Sequence, residues 1–251
     1  MPDCLAIVPA YNEAASVAAT VADLREKAPD FDVVVIDDGS TDATSEIAHG
    51  AGATVIRHPF NLGIGGAVQS GYQYAREHGY EIAVQVDGDG QHDAGHVNDL
   101  MAHMAANPHL GLVTGSRFLE VDGDGYKSSL PRRAGIRLFA RVLSIVVGRR
   151  VTDPTSGFRM VGPRGIELFA RDYPHDYPEV EAVLLLHYHQ LEGAEVPVRM
   201  RARTAGVSSI NAGRSIYYMI KVLLAIFVGL LRARPHVEAG DKAPVAAEHS
   251  I

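Results

Sequence analysis

Apolar residues along this chain fall into short continuous runs, separated by stretches in which they recur every three or four positions. Residues 4–8, 31–36, 54–56, 82–86 and 110–114 form runs of the first kind. Their length and β-branched content predict buried strands. Between them, residues 14–27, 42–49, 64–78 and 96–106 carry helical spacing. Asn12 is placed to cap the first of these helices, and Ser40 or Thr41 the second. Near-continuously apolar strands alternating with helices predict an α/β fold, a largely parallel sheet covered by helices on both faces. In such sheets ligands lie beyond the carboxyl ends of the strands.

Those ends carry the candidate chemistry. Pro9-Ala10-Tyr11-Asn12-Glu13 follows the first strand and Asp37-Asp38-Gly39-Ser40 the second. Asn61-Leu62-Gly63-Ile64-Gly65-Gly66 follows the third and Asp87-Gly88-Asp89 the fourth. Taken singly, Asp-Gly pairs are ordinary turn formers, and the paired glycines could simply open a helix. Four successive strand ends bearing carboxylates, an aromatic or bare backbone fit a purely structural reading poorly. Two carboxylates one residue apart can hold a hard divalent cation whose shell is completed by substrate phosphates, an arrangement suited to a nucleotide diphosphate leaving group. Gln91 and His92 lie within reach of the same loop. Gly63-Ile64-Gly65-Gly66 lacks the G-x-G-x-x-G spacing and follows the third strand, which argues against dinucleotide binding. The acidic, glycine-free segment after the first strand disfavours the triphosphate chemistry of nucleotidyltransferases.

Composition changes this picture in one respect. The 251 residues, 47% hydrophobic and 21% charged, suffice for a large buried core. A net charge of −7 makes nucleic acid a poor partner. The charge is divided, however: residues 1–116 hold four basic and 16 acidic side chains, whereas residues 117–234 hold 18 basic and 11 acidic. The two halves are therefore expected to face different partners. Cys4 alone excludes an intramolecular disulfide and fits a reducing compartment. No basic region precedes an apolar run at the N-terminus, so a signal peptide is not expected.

In the basic half, Arg117 sits just past the fifth strand, and Arg133, Arg137 and Arg141 share one face of a helix predicted over 131–147. This row is either a solvated stripe or an anion site; no acidic residue offsets it between Lys127 and Val151. Asp153-Pro154-Thr155-Ser156-Gly157-Phe158 reads as a proline turn leading into a strand that ends at Gly162. Glu179 and Glu181 open the next helix, where carboxylates either favour the dipole or serve catalysis. Arg199, Arg201 and Arg203 alternate as on one face of a strand running up to Gly206. Residues 216–231 are apolar apart from Lys221 and are flanked by Arg214, Arg232 and Arg234. That run is shorter than the about 20 residues that span a bilayer. It suits a helix over 211–234 lying in the headgroup region of anionic lipid, the alternative being a core or dimer helix. Residues 235–251 lack periodicity and are expected to be disordered.

The ordered motifs resemble those of the family-2 glycosyltransferases with the GT-A fold: Val8-Pro9-Ala10-Tyr11-Asn12-Glu13, Val35-Ile36-Asp37-Asp38-Gly39-Ser40-Thr41-Asp42, Asn61-Leu62-Gly63 and Asp87-Gly88-Asp89-Gly90-Gln91-His92. Gly115-Ser116-Arg117-Phe118 and Asp153-Pro154-Thr155-Ser156-Gly157-Phe158-Arg159 resemble the dolichyl- and polyprenyl-phosphate sugar synthase branch. The resemblance spans roughly residues 4–210, taken as one catalytic domain with a donor half (1–116) and an acceptor half (117–210). It implies that Pro9, Ala10, Tyr11 and Glu13 line the nucleotide base and ribose, that Asp38 binds the base edge and that Asp37 anchors its loop. It implies that Asp87, Asp89 and Gln91 hold Mg²⁺ or Mn²⁺ with the donor diphosphate, and that the loop from Asn61 to Gly66, Gly65 included, closes on the donor. Arg117 and Arg133 are implied for the acceptor phosphate, Asp153 and Ser156 for the donor sugar and diphosphate, and Arg203 for a phosphate contact in a closing segment.

The expected activity is metal-dependent, inverting transfer of a sugar from a nucleotide diphosphate sugar, UDP-sugar by family frequency, to a polyprenyl phosphate. The expected location is cytoplasmic, peripheral on the inner face of the cell membrane, with room for a homo-oligomer or an integral-membrane partner. One rival is a sugar-hydroxyl acceptor, for which Glu181 or Glu179 would be the general base. Another is a non-catalytic nucleotide-sugar-binding subunit.

Overall fold

The computed structural model describes residues 3–119, 130–175 and 177–201 together with Lys221 and Leu224, with the backbone alone for 130–134. Apart from Lys221 and Leu224, the expected interfacial helix lies outside the described residues, as do the C-terminal tail, Arg203 and the Arg133 side chain.

Strands β1 (Cys4–Ala10), β2 (Phe31–Asp37), β3 (Thr54–Arg57), β4 (Ile82–Gln85), β5 (Leu110–Ser116), β6 (Arg159–Val161) and β7 (Glu192–Pro197) form one sheet in the order β3-β2-β1-β4-β6-β5-β7. All pairings are parallel except those of β6, which runs antiparallel between β4 and β5. Helices α1 (Val17–Lys27), α2 (Thr44–Gly50), α3 (Gly63–Glu77), α4 (His96–Ala106), α5 (Leu130–Val147), α6 (Pro163–Arg171) and α7 (Pro178–Tyr188) complete the described elements.

The two-residue period of β1 explains the layers. Cys4, Ala6, Val8 and Ala10 point to a core shared with Val17, Val21 and Leu24 of α1 and with Val97 and Leu100 of α4. Leu5 and Ile7 point to the opposite core, with Val68 and Tyr72 of α3, Phe169 of α6 and Leu186 of α7. Helix α7 is apolar nearly all round because it is covered twice: Ala182 and Leu186 join the second core, while Val180, Val183 and Leu184 meet Phe139 and Leu143 of α5.

Three local expectations are corrected. Asn12 does not cap α1: it adopts a left-handed turn (φ 55°), and the helix starts later, at Val17. Neither Ser40 nor Thr41 caps α2, which starts at Thr44; Asp42 Oδ1 accepts the Thr44 amide instead. The last of the described strands ends at Pro197, opposite the end of β5 at Ser116, so Arg199 and Arg201 lie beyond it. That chain is held by hydrogen bonds from Val198 N to Ser116 O and from Arg201 N to Gln91 O. Among the described residues, no helix is long and apolar enough to cross a membrane.

Candidate active site

The ends of β1 and β2 are stitched together by their own loop side chains. Ser40 Oγ accepts from Asn12 N, Thr44 Oγ1 from Glu13 N, and Asn12 Oδ1 from Thr41 N, each at 2.9 Å. Glu13 also accepts from Ser16 Oγ at 2.6 Å. Pro9 and Ala10 are buried within β1, whereas Tyr11, just past the strand, is 47% exposed. Asp37 anchors its loop: it is fully buried and accepts from Ser40 N and the Ser45 hydroxyl.

Asp38, expected at the base edge, is turned inward instead. Its carboxylate accepts from Leu62 N (2.8 Å) and Gly63 N (2.9 Å), and its Oδ1 lies 2.8 Å from His58 Nδ1. His58 Nε2 lies 3.0 Å from Ser70 Oγ on α3. Asp38 is thus the anchor of the loop that carries Asn61. Gly39 (φ 74°) completes the fit, because a Cβ there would meet the Phe60 backbone at 2.7 Å. Gly65 likewise serves packing rather than an open ligand face: its missing side chain is replaced by the backbone of Pro174 and His175.

The loop after β4 lies across the end of β1. Gly88 N donates to Pro9 O at 3.3 Å, and a Cβ at Gly88 would crowd that oxygen at 3.1 Å. Asp87, Asp89 and Gln91 are half-buried on this one turn, and Gln91 N donates to Asp89 Oδ1. Among the described residues, no lysine or arginine lies within 4 Å of Asp87. Its partners are the Gln85 amide at 3.2 Å and His92 Nε2 at 3.7 Å. A carboxylate with so little compensation, beside a buried His92 Nε2 that has no hydrogen-bond partner among the described residues, fits a cation. No three His, Cys, Asp or Glu side chains converge as a metal centre among the described residues. A cation here would therefore draw on Asp87, Asp89, the amide oxygen of Gln91 and oxygens of its ligand.

The opposite wall comes from the segment before β6. Gly157 passes so close to Asp87 that a Cβ would lie 3.2 Å from both carboxylate oxygens. Arg117 and Asp153, both expected at substrate, are instead each other's partners: Arg117 Nε donates to Asp153 Oδ2 at 2.6 Å and its Nη2 to Oδ1 at 2.8 Å. The Asp153 side chain is wholly buried and that of Arg117 is 6% exposed. A carboxylate so placed requires a counter-ion, which is why the arginine fork turns to it. Ser156 is buried and accepts from Phe158 N.

Sequence reasoning overlooked three supporting residues. Glu195 on β7 accepts from Thr152 N, Thr152 Oγ1 and Asp153 N. Arg159, 1% exposed, donates to the carbonyls of Ser156, Pro154 and Glu179, joining the turn to the start of α7. His58 secures Asp38. Only Arg159, lying within a quoted motif, left a signal; the other two have none at the level of spacing. Glu179 lies within electrostatic reach of the site: burial raises its pKa, Arg159 opposes that rise and the Asp87 charge adds to it.

Comparison with known proteins gives the family. Residues 5–163 match the family model described as glycosyl transferase family 2. The chain is 30% identical over 219 residues to an undecaprenyl-phosphate mannosyltransferase of Micrococcus luteus, covering 83% of this chain and 88% of that protein. It is 26% identical over 228 residues to a polyprenol monophosphomannose synthase of Mycolicibacterium smegmatis, covering 87% and 84%. Among solved structures it resembles glucosyl-3-phosphoglycerate synthase of Mycobacterium tuberculosis in complex with Mn²⁺, UDP and phosphoglyceric acid. There the TM-score is 0.67 at 18% identity, covering 91% of this chain and 78% of that one.

Proposed function

Since the chain belongs to glycosyltransferase family 2, we propose that it transfers a sugar, with inversion, from a nucleotide diphosphate sugar to a polyprenyl phosphate at the cytoplasmic membrane face. The observation that carries this reading is the Asp87-Gly88-Asp89 turn, lying on the end of β1 with Asp87 lacking a cationic side-chain partner among the described residues. Asp87, Asp89 and Gln91 would hold Mg²⁺ or Mn²⁺, which supplies charge neutralisation for the departing diphosphate. Tyr11, exposed just past β1, would stack on the nucleotide base. UDP is favoured as the nucleotide because the structural neighbour holds UDP with Mn²⁺.

The acceptor assignment is supported by the relatives, one named an undecaprenyl-phosphate mannosyltransferase and another a polyprenol monophosphomannose synthase. An ionised lipid phosphate is nucleophilic at neutral pH, so this chain need only position it in line with the anomeric carbon. Arg133 and Arg203 remain the residues proposed for that task, while Arg117 acts through Asp153. A peripheral seat on anionic membrane is supported by the outer face of α5, where Arg137 and Arg141 stand exposed beside Leu138 (46%) and Ile145 (82%).

Incubation with labelled UDP- and GDP-sugars, Mn²⁺ and a short-chain polyprenyl phosphate should give labelled lipid, and Asp89→Asn should abolish it. Absence of transfer across the donor panel would overturn the acceptor assignment. A sugar-hydroxyl acceptor is the second reading, favoured by Glu179, whose carboxyl lies within electrostatic reach of Asp87. It requires a general base, so Glu179→Ala should then lose transfer by at least about 100-fold. The lipid-phosphate reading expects a milder effect.

A further inference from the structure

The loop that bears Asp87 is organised around a side chain assigned no part in the chemistry so far. His92 is 3% exposed and stacked on Phe158, with ring centroids 4.8 Å apart and planes 15° from parallel. Its Nδ1 lies 3.0 Å from Asp87 N. A backbone amide can only donate, so Nδ1 is the acceptor and carries no proton; in the neutral ring the proton sits on Nε2. That Nε2–H is buried, has no hydrogen-bond partner among the described residues and lies 3.7 Å from Asp87 Oδ2. Orphaned buried donors are rare because they forfeit a solvated hydrogen bond without replacement.

The two ends of the ring thus address the same residue, one gripping its backbone and the other facing its carboxylate. They differ in mobility. The ring is clamped by stacking and by the Asp87 amide, while the Asp87 side chain, 36% exposed, can turn about its torsions. Carboxylates that bind cations are commonly held by a hydrogen bond on their far oxygen, which orients them and fixes their charge. We propose that His92 is the positioning residue of the Asp87 carboxylate: its Nδ1 fixes the backbone of the turn, and its Nε2–H orients Oδ2 when a divalent cation and diphosphate occupy the loop.

This rests on the reading of Asp87 and Asp89 as the cation site, and two isosteric substitutions divide the roles. In His92→Asn the side-chain oxygen falls near the position of Nδ1, so the Asp87 amide keeps its acceptor and the Nε2 donor is lost. In His92→Gln the terminal amide reaches the Nε2 position, so a donor is kept and the Nδ1 acceptor is lost. Mn²⁺ binding in the presence of UDP, followed by the loss of the free-ion electron paramagnetic resonance signal, is compared with thermal unfolding of the metal-free proteins and with kcat and KM. His92→Asn should unfold near the parental temperature yet bind Mn²⁺ about 10- to 100-fold more weakly. His92→Gln should show the reverse, a lower unfolding temperature with Mn²⁺ affinity closer to that of the parent. Parental Mn²⁺ affinity in His92→Asn overturns the proposal, as does an equal loss in both variants, since that would reflect loop geometry alone. If the parent itself binds no Mn²⁺, the reading of the site fails along with it.

Discussion

The buried ion pair of Arg117 and Asp153 shows how far a residue's role depends on what it meets. Both residues carry the charge expected at a substrate site, and each satisfies the other. Arg117→Ala would leave Asp153 buried without a counter-ion, at a cost of about 3–5 kcal/mol. Urea denaturation should show that loss as a lower midpoint with unchanged slope; parental stability would return Arg117 to the list of open phosphate contacts. Glu179 gives a prediction of opposite sign. Burial raises its pKa above the ordinary 4.5, with Arg159 acting the other way, so the folded state favours the protonated carboxyl. Stability associated with this group is complete below the unfolded value and is lost as pH rises through the folded one. Glu179→Gln should accordingly match the parent below about pH 4, under the ordinary value, and exceed it in unfolding temperature by neutrality. Curves that run parallel across this range would contradict the account.

At the scale of elements, the strands and helices between residues 4 and 147 were legible to within a few residues, because apolar periodicity is a local property, whereas α6 was not read and β7 precedes the arginine alternation taken for a strand. Within the elements that were read, the errors lay at ends, where a distant partner decides. The turn after β1 is shaped by Ser40 and Thr44 of the next loop, so Asn12 serves cross-loop hydrogen bonding instead of capping. Beyond Pro197 the chain is drawn to Asp23 and Asp93 by Arg201, with Lys27 joining both carboxylates. Gly39 offers a test of such an end. Alanine there must adopt a left-handed conformation, costing about 1–2 kcal/mol, and must also displace the Phe60 backbone. Gly39→Ala should thus lower both the unfolding temperature and UDP affinity, and unaltered UDP binding would show that the Asn61 loop does not serve the nucleotide. For α5, replacing Leu138 and Ile145 together by Glu should reduce sedimentation with anionic liposomes while leaving the unfolding temperature near the parental one. Unchanged sedimentation would remove this helix from the membrane contact.

For the whole molecule, the acidic and basic halves meet at the sheet. The antiparallel strand β6, inserted between β4 and β5, lays Gly157 from the basic half against Asp87 of the acidic half. A ligand bound across this junction should stabilise the entire fold. UDP with Mn²⁺ at 100 times its dissociation constant would add about 2.7 kcal/mol, seen as a raised unfolding temperature that Asp87→Asn abolishes; an equal shift in that variant would place the nucleotide elsewhere. The sequence by itself determined the alternation of strand and helix. With it came the edge of the sheet to which Tyr11, Asp87, Asp89 and Gln91 belong, since chain direction and periodicity place every strand end in a parallel fold. Only the tertiary structure decided which charged groups stay open to ligand. Arg117 finds Asp153 36 positions away and Asp38 finds His58 at 20. Pairing of that kind is settled by burial and desolvation once the layers close, and no local pattern encodes it.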